Sequence, residues 1–107
     1  MVDPTILKEV RRYLGVLPRY GIHARRAVLY GSFARGEAGP WSDIDVIVIA
    51  PEFARGKTYS MIEDLWGARA HADIRIEPVA RGEDEWEHDQ SRPLLEIARR
   101  EGVVIAA

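Results

Sequence analysis

Ser42-Asp43-Ile44-Asp45-Val46-Ile47-Val48-Ile49-Ala50 decides how this chain reads. The run is rich in β-branched residues and is closed by Pro51, which predicts a strand. Two carboxylates stand at its head. Because side chains along a strand alternate with a period of two, Asp43 and Asp45 share one face. Neighbouring like charges repel and resist burial, so the pair calls for a counter-charge, and hard oxygen ligands suit Mg²⁺ or Mn²⁺. Taken by themselves, such residues more often mean only that Ser42 and Asp43 cap a turn, with Asp45 solvated at an exposed strand end.

Upstream, Ala27-Val28-Leu29-Tyr30 is a short apolar run that predicts a second buried strand. Gly31-Ser32-Phe33-Ala34-Arg35-Gly36 follows it directly. Small residues after a strand let backbone approach a ligand closely, and free N–H groups with the Ser32 hydroxyl can cradle a phosphate. A lone Gly-Ser is more often only a turn. One short loop, however, separates this turn from the two acids, and that adjacency would bring a triphosphate against a metal ion.

Further outward, Asp3-Pro4 opens a helix over about 4–17, in which Ile6, Leu7, Val10, Leu14 and Leu17 recur at helical spacing until Pro18 and Gly21. Met61, Ile62, Leu65 and Trp66 predict a helix over 57–70, and Ala72 to Val79 alternates as a third strand ending before Gly82. Asp73 and Glu77 then fall on one face of that strand, with Ile74 and Ile76 on the other. Pro93 to Arg100 predicts a last helix stopped by Gly102, and Val103-Val104-Ile105 an edge strand. Glu83 to Asp89 reads as a solvated acidic face, and Trp41, Trp66 and Trp86 as packing residues, although Trp41 adjoins the motif.

A chain of 107 residues fits one domain, here 1–107, with 47% hydrophobic and 30% charged residues, a globular balance. The 15 basic against 17 acidic residues remove the bulk electrostatic case for nucleic acid as a partner. No cysteine occurs, which excludes disulfides, thiolate nucleophiles and zinc-thiolate sites, and His23, His71 and His88 lack ligand spacing to one another. The N-terminus has no basic flank leading into an apolar run, and no stretch approaches the roughly 20 apolar residues that span a bilayer. A cytoplasmic protein without membrane contact is expected.

Gly31-Ser32, Ala34-Arg35-Gly36 and Ser42-Asp43-Ile44-Asp45 with its apolar strand together resemble the signature of the minimal nucleotidyltransferases, the smallest members of the DNA polymerase β-like superfamily. The core of the resemblance spans residues 31–48. It implies an α/β fold with a small mixed sheet flanked by helices, and transfer of a nucleoside monophosphate from an NTP, ATP first among them, to an acceptor hydroxyl. Asp43 and Asp45 would hold Mg²⁺ or Mn²⁺, Gly31 and Ser32 would steer the phosphates, and Arg35 could reach a phosphate through its guanidinium fork. The resemblance also implies a third carboxylate. Asp73, where related sequences carry an acid opening the strand, is the first choice, with Glu77 the alternative. Since the chain leaves little room for an acceptor site, a partner protein is expected, as with the helical HEPN proteins that pair with such transferases as toxin and antitoxin, and an oligomer fits too. The competing class is a nucleotide-binding antitoxin or interaction module that masks its partner without significant catalysis.

Overall fold

The computed structural model describes residues 2–107, so Met1, within the N-terminal segment read above, lies outside it. Helix α1 (Pro4–Val16) starts where the Asp3 carboxylate accepts the Thr5 N–H at 2.9 Å, leaving Pro4 in the first turn, where no donor is needed. Ile6, Val10, Tyr13, Leu14 and Val16 form its buried stripe. A 3₁₀ turn (Leu17–Tyr20) ends at Gly21 with φ 77°. Strand β1 (Arg26–Tyr30), the one-turn helix α2 (Ser32–Arg35) and strand β2 (Ile44–Ile49) follow. Helix α3 (Tyr59–Gly67) is shorter than the predicted 57–70. The Thr58 hydroxyl caps it by accepting the Met61 N–H at 3.1 Å, and its tail tightens to 3₁₀ at Ala68–His71. Strand β3 (Ile76–Arg81), helices α4 (Glu83–His88) and α5 (Pro93–Glu101), and strand β4 (Val103–Ala106) complete the chain.

The four strands lie in the order β3-β2-β1-β4. β1 runs antiparallel to β2 and β4, while β2 and β3 are parallel and joined through α3. The sheet is therefore mixed and flanked by helices, as expected. Alternation splits its side chains between two cores. Leu29, Ile44, Val46, Val48 and Ile76 face α1 and α3, whereas Val28, Ile47 and Ile49 face Trp86, Leu95 and Ala98 of α4 and α5. Full burial of one such aliphatic side chain contributes about 1.5–3 kcal/mol, so this double-sided burial holds β2 more firmly than any polar contact along it. One deep polar contact ties the helices of the first layer: the buried Tyr13 hydroxyl donates to the Leu65 carbonyl at 2.5 Å. No helix among the described residues is long and apolar enough to cross a membrane.

Two expectations change here. β3 begins at Ile76 rather than Ala72, because the Asp73 carboxylate accepts the Arg75 N–H at 2.9 Å and turns the chain before pairing starts. Ile74, expected on a packed strand face, is 75% exposed in that turn. The tryptophans also divide: Trp86 is core at 7% exposure, whereas Trp41 is 94% exposed and packs against nothing.

Candidate active site

The antiparallel β1–β2 pair and the parallel β2–β3 pair bring the end of β1 and the starts of β2 and β3 to the same end of the sheet. In register, Tyr30 lies beside Asp45, and Asp45 beside Glu77, forming one row across three strands. The row is on the face carrying Ile47 and Ile49, and its Tyr30 packs against the cluster that those residues form with Trp86, Leu95 and Ala98. Asp45 is half-buried there, and Asp43, just before the strand, is exposed.

Gly31 leaves β1 with φ 75° and ψ −154°, a conformation essentially restricted to glycine. A Cβ at this position would collide with Oδ2 of Asp45. The backbone of the Gly-Ser turn and the catalytic carboxylate candidate are thus in direct apposition. The Gly31 carbonyl accepts the Ala34 and Arg35 N–H groups at 3.1 and 3.2 Å, which leaves the first amides of α2 without intrahelical acceptors. Gly36, with φ 72°, closes the turn.

Electrostatics follow from this layout. Burial pushes the Asp45 carboxyl above the usual carboxylate range, the charges of Glu77 and Asp43 push it further, and Arg35 opposes them. Tyr30 is raised to about 12 by burial and then by Asp45 and Glu77, so its phenol stays protonated across the physiological range. Arg35 itself sits between Glu37 at 3.4 Å and Glu101 at 3.8 Å, partly exposed.

Asp73 is not brought to this row. Its Oδ2 accepts from Arg75 Nη2 at 2.7 Å and its Oδ1 from Arg75 Nε at 3.1 Å. Those bonds hold its carboxyl below the ordinary range despite partial burial. Arg75 in turn lies over the Phe33 ring at 5.9 Å, so the Asp73 turn braces α2. Tyr30 was missed as a member of the site; its place just before Gly31, in a strand paired to the acid-bearing one, was the available signal.

Among the described residues, no group of three acid or imidazole side chains is arranged to hold a metal ion. The donor chemistry still suits a hard divalent cation: Asp43 and Glu77 are carboxylates whose charges act on Asp45 against the pull of Arg35, and the Gly31 backbone leaves Asp45 the space a side chain would fill. A surface hollow of about 460 Å³ lies at the opposite end of the sheet against Arg25, Arg26, Pro51 and Glu83. A smaller one of about 190 Å³ adjoins Phe33 and Gly36 of the Gly-Ser turn.

Residues 6–96 match the model of the nucleotidyltransferase domain. The chain belongs to the nucleotidyltransferase domain family. The fold of this nucleotidyltransferase agrees with that of a crystal structure from Sulfolobus solfataricus, a candidate nucleotidyltransferase. The likeness has a TM-score of 0.62 and 15% identity, over 94% of this chain and 78% of the other. Comparison with curated proteins finds no match. Nucleotide transfer, with an NTP as donor, is the activity the family carries, and the minimal architecture read from Gly31 to Val48 agrees with it.

Proposed function

We propose that this nucleotidyltransferase moves a nucleoside monophosphate, AMP from ATP, onto an acceptor hydroxyl, with Asp43, Asp45 and a third acid as its divalent-metal ligands. The observation that carries this reading is the apposition of Asp45 to Gly31 on one side and to Glu77 on the other. Gly31, Ser32 and the free amides of α2 would bind the β- and γ-phosphates, and Arg35 would turn from its glutamates to a phosphate oxygen. Bound Mg²⁺ or Mn²⁺ would supply charge neutralisation at the phosphates. The acceptor oxygen attacks the α-phosphorus, the bond to the bridging oxygen breaks, pyrophosphate leaves, and a site carboxylate takes the acceptor proton.

Glu77 is the better third acid, since it neighbours Asp45 whereas both oxygens of Asp73 are engaged by Arg75. The acceptor is proposed to be a partner protein, of which a HEPN-type helical protein is the form the resemblance suggests. The exposed Trp41, two residues from Asp43, offers an aromatic surface at the rim for it. Incubation with ATP labelled at the α-phosphate, metal and a lysate of the source cell tests the reading by autoradiography. A labelled protein band that disappears with Asp45→Asn supports it. Binding of ATP without any labelled acceptor would favour a masking module instead.

A further inference from the structure

The two edges of the sheet are built differently. β3 carries Pro78 in its middle, with the charged Glu77 and Arg81 on the same strand. Proline lacks a donor, and prolines and charges on an edge strand discourage pairing with another chain. β4, at the other edge, reads Val103-Val104-Ile105-Ala106, without charge, proline or glycine. The Ala107 N–H donates to the Arg25 carbonyl at 3.3 Å. The alternation of an antiparallel ladder therefore turns the peptide groups of Val103 and Ile105 toward β1 and those of Val104 and Ala106 outward. Among the described residues no strand pairs with that outer side.

Side chains agree with the backbone. Val104 stands opposite Val28, on the face that α5 covers, yet it is 53% exposed. Ile97 of α5 is 39% exposed above the same face. An unguarded ladder and exposed apolar side chains thus belong to one part of the molecule.

We propose that a second copy of the chain occupies this edge, β4 against β4, antiparallel about a two-fold axis at Val104, giving one eight-stranded sheet. Charge selects the occupant. A two-fold axis sets the residue on it against its own copy and pairs its neighbours with one another, so a strand without charge meets itself with no like-charge repulsion in any register, and β4 has no charged residue. An axis perpendicular to the sheet preserves its faces, so each residue must meet one of the same parity. Centring on Val104 satisfies this: Val104 meets its counterpart, Val103 meets Ile105 and Gly102 meets Ala106. The outward peptide groups of Val104 then bond across the axis, and the two exposed valines cover each other. Both α5 helices lie on one face of the joint sheet, and so do both Asp45 rows. From β2 to its symmetry mate is five strand spacings, roughly 24 Å.

Light scattering on the full chain should give twice the chain mass of 12.1 kDa. Hydrogen exchange should find the Val104 and Ala106 amides protected in that dimer. Val104→Lys places like charges opposite each other, and Val104→Pro removes the outward donor; each should halve the mass while circular dichroism and thermal unfolding still report a folded protein. A wild-type chain that stays at the mass of one copy at high micromolar concentration overturns the proposal, whether those amides exchange fast or are slow because something else in the chain covers them. So does a dimer that survives both substitutions.

Discussion

The two ends of the sheet handle charge in opposite ways. Around Arg26, opposite charges are paired: Arg26 with Glu83 and Glu87, and Lys57 with Glu85. Glu85 is partly buried, yet the Gly82 amide and Lys57 hold its carboxyl below the usual range. Around Asp45, carboxylates neighbour carboxylates, and burial with Glu77 and Asp43 drives Asp45 up. One end has spent its charges on holding α4 to the sheet. The other keeps an electrostatic imbalance that a stable fold alone would not select, and a cation with an anionic phosphate chain would resolve it.

Asp45→Asn gives the largest test of that contrast. Transfer should fall on the order of 10³-fold, because a ligand of the reacting phosphates' counter-charge is lost. Stability should hold or rise. A carboxyl raised in the folded state is destabilising when ionised above its ordinary range, so neutralising it removes a penalty at pH 7. Activity that survives, measured with α-labelled ATP, would show that the imbalance serves something other than catalysis.

Gly31→Ala comes next. The left-handed φ and the collision with Asp45 should lower stability by about 1–3 kcal/mol and displace the carboxylate, with transfer falling alongside. Denaturant midpoints check the first part. An unshifted midpoint would mean that the turn can relax without cost.

Glu77→Gln and Asp73→Asn sharpen the comparison, because one acid sits in the unbalanced row and the other in a balanced pair. Glu77→Gln should reduce transfer roughly 10²-fold with little change in stability. Asp73→Asn should retain most transfer and lower stability by about 1–2 kcal/mol at neutral pH. The pH dependence follows from the sign: the Asp73 carboxyl is depressed in the fold, so its contribution is present above the ordinary carboxylate range near ~4 and is lost as pH falls through the folded value. Below that range, wild type and Asp73→Asn should converge in thermal unfolding scans.

Arg26→Gln should matter least. Its glutamate partners are about half exposed, so the loss should be about 0.5–1 kcal/mol, weakened further by salt, with transfer unchanged. A large loss of transfer would break the division of labour between the two ends.

The fold was legible where periodicity speaks. β2 announced itself by five β-branched residues among Ile44–Ile49, and the Gly-Ser turn and acids were placed by their spacing. What stayed hidden depended on contacts across the chain. The start of β3 turned on which partner the Asp73 carboxylate chose, and a strand pattern cannot reveal an adjacent arginine folding back onto it. The segment Glu83 to Asp89 looked like a solvated acidic face, but Arg26 and Lys57 come from elsewhere in the chain to meet it. Trp41 resembled Trp86 in composition alone, and only the turn at Gly39–Ser42, where the Ser42 hydroxyl accepts the Gly39 N–H at 2.8 Å, leaves its ring outside the core.

The strand order also sets an order of assembly during synthesis. β1 and β2 emerge close together, and β3 adds to them after one helical crossover, so the row of Tyr30, Asp45 and Glu77 can be completed while the ribosome is still making α4 and α5. The other side of β1 waits for residues 103–106, whose pairing reaches back from Ala106 to Arg26 and is the slowest kind of contact to form. Until then a central strand is an open edge, with Val28 uncovered by Leu95 and Ala98. The acidic row can therefore stand complete before the edge beside it is covered.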